Sequence, residues 1–392
     1  MSISTICIIS HFKNFHWAAF LALLLLMTLA ADCLAESNTD RAKQYMAGGN
    51  YAEAEALLLQ ELEAREKSLG KDHLAYAEAC IDLATLFLEI GEYYDAEPLF
   101  QKALEIRKKI LGENSREYAE TCYGLAELYC NLGQYDQSEP LLLEALAIRE
   151  KLLGGDHVDV AETCNGLGVL KDALEDYAQA EKFYQRALAI YDKAEGKDYP
   201  EKVRTYRNLA MACWSQDKYT EAEAMLMREL DIGKAALGED HVYVSSTCRT
   251  LGLLYKHQKQ YERAEVFFMK TLEIREKLND KNDHVRGETY GHLSELYEAQ
   301  GDMAKTIVFK RKESDFYANY LGEDHFYMDI PYRKLASLYE AAGQYSEAES
   351  FYIKALSIVH KWSGAEDSET LHIENKLAAL RKEMEKDRGS QK

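Results

Sequence analysis

Tyr261-Glu262-Arg263-Ala264-Glu265 is one copy of a motif that returns down almost the whole chain. Its tyrosine recurs at a constant step of 42 residues: Tyr51, Tyr93, Tyr135, Tyr177, Tyr219, Tyr261 and Tyr345, with Met303 in the one remaining place. Three residues after each stands a small side chain: Ala54, Ala96, Ser138, Ala180, Ala222, Ala264, Thr306 and Ala348. A second series keeps the same step through Gly70, Gly112, Gly154, Gly196, Gly238, Asp280, Gly322 and Gly364. A fixed period between about 20 and 50 residues marks stacked supersecondary units, none of which can bury its apolar face alone.

The composition fits that reading. Of 392 residues 47% are hydrophobic, enough for a large core, and the repeat makes that core a strip in which each unit touches its neighbours. Only four prolines occur, and Ala, Leu, Glu, Lys and Tyr dominate, a composition that suits helices. The net charge of −20 serves solubility and disfavours nucleic-acid binding, which needs a basic field.

Each period reads as two helices. Helix A follows the glycine-containing loop, as in His241–His257, where Cys248, Leu251, Gly252 and Tyr255 form one apolar stripe. Helix B starts at the tyrosine, as in Tyr261–Leu278. Ala84, Ala126, Gly168, Ala210, Gly252, Ser294 and Ala336 let A and B approach closely. Gly91, Gly133, Gly301 and Gly343 are placed to end helix A in a left-handed cap. In the loops Gly70–His73, Gly154–His157, Gly238–His241 and Gly322–His325, glycine ends helix B and aspartate is expected to cap the next helix A. Pro331 should distort its helix locally. Met303–Tyr320, which lacks the motif, reads as the weakest unit and a joint. Ser368–Lys386 reads as a terminal cap with Leu377 and Ala378 in register, and Asp387–Lys392 should fray.

The first 35 residues stand apart. An apolar run at Trp17–Ala31 precedes Cys33-Leu34-Ala35, the arrangement of a secretory leader with a cleavage site. The expected organisation is a signal peptide over 1–35, a solenoid of about eight repeats over 36–364, and a capping helix and tail over 365–392. The chain is then exported, periplasmic or secreted; an uncleaved leader would make it membrane-anchored, the one membrane link foreseen. Mass spectrometry of the N-terminus checks this, and an intact Met1 overturns it. Cys80, Cys122, Cys164 and Cys248 share one register on stacked helices about 8–10 Å apart, too far for disulfides, and read as buried thiols.

Leu125-Ala126, Tyr129, Gly133-Gln134-Tyr135, Ser138, Leu142 and Ala145 follow the pattern of a tetratricopeptide repeat, with Cys122 in place of the usual tryptophan. Tyr93–Leu99, Ala145–Lys151 and the Gly-x-Asp-His loops resemble the repeat type of kinesin light chains, over about Asn38–Gly364. The resemblance implies an all-α, right-handed α-solenoid of antiparallel helix pairs, with a concave face of A helices that binds extended peptides or partner helices.

By register that face carries Asn165, Arg204, Arg207, Asn208, Trp214, Arg249, Lys256 and His257 in the middle repeats. Early repeats offer Glu78, Glu120, Tyr123, Glu127 and Glu162; later ones offer Glu288, Glu295, Arg333 and Lys334. Asn165 and Asn208 fall where related repeats carry the asparagines that hold a ligand's backbone. Trp214 stands where other units have Leu88, Cys130, Asp172, Lys256 or Glu298, so it has no evident core role. The middle set is basic, which points to an acidic peptide or protein segment held by arginines with Trp214 as apolar anchor. A solvated face whose charges pair between repeats is the plain alternative. His73, His157, His241 and His325 lie on separate loops and suit loop packing rather than a metal. No phosphate loop, GxSxG or HExxH occurs. The expected function is a non-catalytic scaffold without metal or cofactor. A structural subunit of an envelope assembly, or a regulator of an enzyme, is the alternative.

Overall fold

The computed structural model describes residues 38–194, 200–278, 283–364 and 367–390. The leader, Gly196, Asp280 and the last two residues lie outside them. A helix over 38–47, α1, is followed by α2 (Tyr51–Leu69), α3 (Leu74–Ile90), α4 (Tyr93–Leu111), α5 (Arg116–Asn131), α6 (Tyr135–Leu153), α7 (Val158–Ala173) and α8 (Tyr177–Lys193). Then come α9 (Pro200–Ser215), α10 (Tyr219–Leu237), α11 (Val242–His257), α12 (Tyr261–Leu278), α13 (His284–Gln300), α14 (Met303–Leu321), α15 (Asp329–Ala341), α16 (Tyr345–Trp362) and α17 (Ser368–Ser390). Every even-numbered helix begins at the recurrent tyrosine, or at Met303. Among the described residues there is no strand, and no helix is long and apolar enough to cross a membrane.

The chain forms two compact units, one ending at Ala212 and the other beginning at Cys213, with the division inside α9. In the first, α3 pairs with α4, α5 with α6 and α7 with α8; in the second, α11 pairs with α12, α13 with α14 and α15 with α16, and α17 closes on α16. This is an α-solenoid of stacked helix pairs. The small residue three places into each B helix is fully buried in all eight copies. Gly168 and Gly252 are buried under the rings of Tyr184 and Phe268, so the close approach expected of that register is real. Cys80, Cys122, Cys164 and Cys248 are buried free thiols, and burial pushes the Cys80, Cys164 and Cys248 thiols up to about 11.

The left-handed residue after helix A is glycine at Gly91, Gly133, Gly301 and Gly343, with φ between 71° and 84°. The same register is filled by Glu175, Asp217 and Lys259 at φ 58–60°. Those three side chains are strained against their own carbonyl groups, a cost of about 1 kcal/mol each that glycine escapes. Lys259→Gly should therefore raise stability by about 0.5–1 kcal/mol, read as a shift in the denaturant midpoint. A loss of stability would show that the lysine side chain, not the backbone, matters there.

The Gly-x-Asp-His loops work differently from expectation. The residue that caps the next helix is histidine: Nδ1 of His73, His157 and His241 each accepts from the backbone N–H two residues on, at 3.1 Å, and His325 does so at 3.3 Å. The aspartate turns outward, where Lys109, Lys193 and Lys277 reach Asp72, Asp156 and Asp240 at 2.8–3.2 Å, and Lys361 lies 3.7 Å from Asp324. Histidine wins because its extended backbone puts Nδ1 over the first free N–H groups.

Other local expectations meet the structure unevenly. Pro331 does distort its helix: a 3-10 turn at Phe326–Met328 precedes α15. In α14, Lys310 stands where Phe268 and Tyr352 are buried, and it pairs with Glu313 at 2.7 Å, over Gly291. In α17 the buried residues are Ile373, Leu377 and Leu380, while Ala378 is exposed, because the cap turns a narrower stripe inward. That helix continues to Ser390, past the point where fraying was expected.

A repeated arginine ties each B helix to the next A helix. Arg107 Nη1 donates to Glu117 O at 2.7 Å, Thr121 Oγ1 at 2.9 Å and Glu120 at 3.0 Å. Arg149 does the same to Asp159 O, Thr163 and Glu162 at 2.8–2.9 Å, and Arg65 reaches Ala75 O and Glu78. Arg107 and Arg149 are 5% and 4% exposed, so these bonds form away from water. At the equivalent place in α10 stands Gly233; there Glu229 accepts from the Tyr243 and Thr247 hydroxyls instead, each at 2.8 Å.

Candidate peptide-binding site

Successive A helices touch in the first unit, α3 with α5 and α5 with α7. A concavity of about 230 Å³ opens there. Tyr123, Glu127 and Cys130 of α5 form one wall, Asn165 and Gly166 of α7 the floor, and Arg204 and Asn208 of α9 the other wall. Gly166 makes room for Tyr123: a Cβ on it would lie 3.1 Å from the tyrosine ring and 3.2 Å from Leu142.

Three of the residues expected at the site meet here: Asn165, Arg204 and Asn208. Asn165 is only 2% exposed. One end of its amide lies 3.1 Å from Thr205 Oγ1 and 3.2 Å from Asn208 Nδ2; the other end has no partner among the described residues. Arg204 is exposed and makes no ion pair with a described residue, although its charge reaches Glu127. Glu127 is half-buried, and its carboxylate has neither an ion pair nor a hydrogen bond among the described side chains. Burial pushes its pKa up, Arg204 opposes that, and Glu162 and Glu89 add to it. Glu162 is raised by burial too, with Arg149 opposing. Arg207 is half-buried in α9 and does not line this concavity.

The other expected residues belong to the second unit. Trp214, half-buried, has its ring centroid 5.9 Å from that of His257, and Tyr219 lies 5.4 Å from the same imidazole with its hydroxyl 3.1 Å from Nε2. Arg249 is paired with Glu288 at 2.9 Å, and Lys256 with Glu295. The hydrogen bond from His292, with Lys256 behind it, holds the Glu295 carboxyl down at about 2. Two of the positive charges expected to face a ligand are thus neutralised by α13. The glutamates that do this were on the same predicted face. Spacing shows which residues share a face but not which of them reach one another.

The sequence profile of the tetratricopeptide repeat matches residues 32–109, 117–193, 167–235, 201–277, 245–306 and 285–361. The chain belongs to the tetratricopeptide-repeat family. No curated protein matches it. Among solved structures it is similar to a signal transduction ATPase with numerous domains from Pyrococcus horikoshii, which carries a tetratricopeptide repeat sensor. That match has 17% identity and a TM-score of 0.61, over 85% of this chain and 48% of the other. A Rap protein complexed with competence and sporulation factor is 17% identical, with TM-score 0.50 over 88% of this chain and 75% of that one. A putative kinesin light chain from Podosopora anserina with nearly identical TPR-like repeats is 23% identical, with TM-score 0.44 over 51% and 94%.

Tyr123 and Glu127 were legible as residues of the A face. Gly166 and the arginine ties were not, although the arginine's return at Arg65, Arg107, Arg149 and Arg275 was a readable signal.

Proposed function

We propose that this tetratricopeptide-repeat chain is a non-catalytic scaffold that holds an extended segment of a partner protein in the concavity of its first unit. The observation that carries this is the Asn165 amide, buried among α7 and α9, with one end engaged and the other turned to the concavity without a partner. A buried amide costs about 1–3 kcal/mol when unsatisfied, so a site that leaves one open is suited to a ligand's main-chain N–H or C=O. Asn208 beside it offers a second amide, and Arg204 a guanidinium that no described side chain occupies. The Rap protein's bound factor supports the reading as an example of a similar fold in complex. In the second unit Trp214 and His257 add aromatic surface.

The test is a photo-crosslinking residue placed at Arg204 and, separately, at Leu143 on α6, which is 46% exposed. Adducts with a second polypeptide should form at position 204, and Asn208→Ala should weaken them about tenfold. Equal adducts at both positions, or no effect of Asn208→Ala, would show that this concavity is not where a partner sits.

A further inference from the structure

The sign of the ligand's charge can be read from how the carboxylates of the first unit are partnered. Glu78, Glu120 and Glu162 lie on the A helices, and each is met from behind by an arginine of the preceding B helix: Arg65, Arg107 and Arg149. Glu127 has no such arginine. It is half-buried on α5, next to the Tyr123 ring and opposite the open amides of Asn165 and Asn208. Arg204, the one cation nearby, stays exposed and beyond ion-pair distance. A carboxylate withdrawn from water without a partner is destabilising, and a cation delivered from outside removes the cost. The volume of about 230 Å³ is below the 300–1,000 Å³ usual for small-molecule sites and suits one long side chain.

Resting on the peptide-binding reading above, we infer that the concavity takes a lysine or arginine side chain of an extended partner segment, with Glu127 as its counter-ion and Asn165 and Asn208 on the adjoining main chain. This reverses the charge expected from the sequence, where the basic residues of the middle repeats pointed to an acidic ligand. The exposed Arg204 is screened by solvent at the rim and leaves room for an acidic neighbour on the same segment.

The experiment is a selection of displayed random twelve-residue peptides on the full chain, followed by affinity measurement of the peptide recovered most often. Lysine or arginine should dominate one position. Glu127→Gln should weaken that peptide about tenfold or more, and Glu127→Lys should shift the selection to aspartate or glutamate. Replacing the selected peptide's own lysine by methionine, against unaltered protein, should cost as much and does not depend on a variant's folding. Glu127→Gln should unfold at the same or a higher temperature, because it removes an unpartnered charge. Recovered peptides that carry acidic residues, or a methionine peptide that binds within twofold, would overturn the charge assignment and leave the peptide groove standing. Recovery of no peptide above background would sink the groove itself, and this inference with it.

Discussion

Replacing Arg149 by alanine lowers the stability of the first unit by about 3 kcal/mol. The guanidinium is 4% exposed and joins α6 to α7 through Asp159 O, Thr163 and Glu162. It also lies 5.1 Å from the centre of the Tyr123 ring. The truncation leaves the Glu162 carboxylate without its cation and a void beneath Tyr123. Exposed ion pairs contribute under about 1 kcal/mol, so Arg116→Ala, which breaks a pair at a residue whose side chain is 61% exposed, should cost little. In a repeat array the damage is local, and it should appear as lost amide-exchange protection across α6 and α7 before global unfolding.

The cost of Arg149→Ala should also depend on pH. Burial already raises the Glu162 pKa, and Arg149 holds it back. A carboxyl raised in the folded state keeps its proton better there than in the unfolded chain. It therefore adds stability at low pH, and that is lost as pH rises through the folded value. Without the arginine the rise is larger, so the difference between variant and parent should shrink as pH falls from neutrality into the window just above the ordinary carboxylate range. A difference unchanged over that window would mean that Glu162 plays no part in the tie.

Gly168→Ala should destabilise by about 2–3 kcal/mol, although alanine in place of glycine inside a helix ordinarily gains about 1 kcal/mol. The added Cβ would lie 2.4 Å from Cε1 and 2.6 Å from Cδ1 of Tyr184. Tyr184 is 1% exposed, so its ring has nowhere to go. Steric overlap therefore outweighs helix propensity. One repeat earlier the same two positions hold Ala126 and Leu142, both buried. Introducing Gly168→Ala together with Tyr184→Leu copies that pair, and should recover more than half the loss of Gly168→Ala alone. Additive effects of the two changes, measured by denaturant unfolding, would show that Gly168 does not answer to Tyr184.

Much of the protein was legible before any coordinates. The step of 42 placed the start of every B helix from α2 to α16 on its observed first residue, and the small residue three places on was buried each time. Such features are local: a helix start and a close contact within one hairpin depend on residues of the same repeat. The candidate site was legible only as a list. Asn165, Arg204 and Asn208 converge, while Arg249 and Lys256 are tied to Glu288 and Glu295. The histidine cap was hidden because aspartate is the commoner capping residue and stands beside it.

The sequence by itself determined the unit, its length and the order of helices, because translational repetition of an apolar stripe admits one way of stacking. Only the tertiary structure decided which charges are spent. A tie such as Arg149 to Glu162 spans two repeats, and whether it closes depends on side-chain reach between helices. That reach is why Glu127 is left without a cation while Glu78, Glu120 and Glu162 each have one.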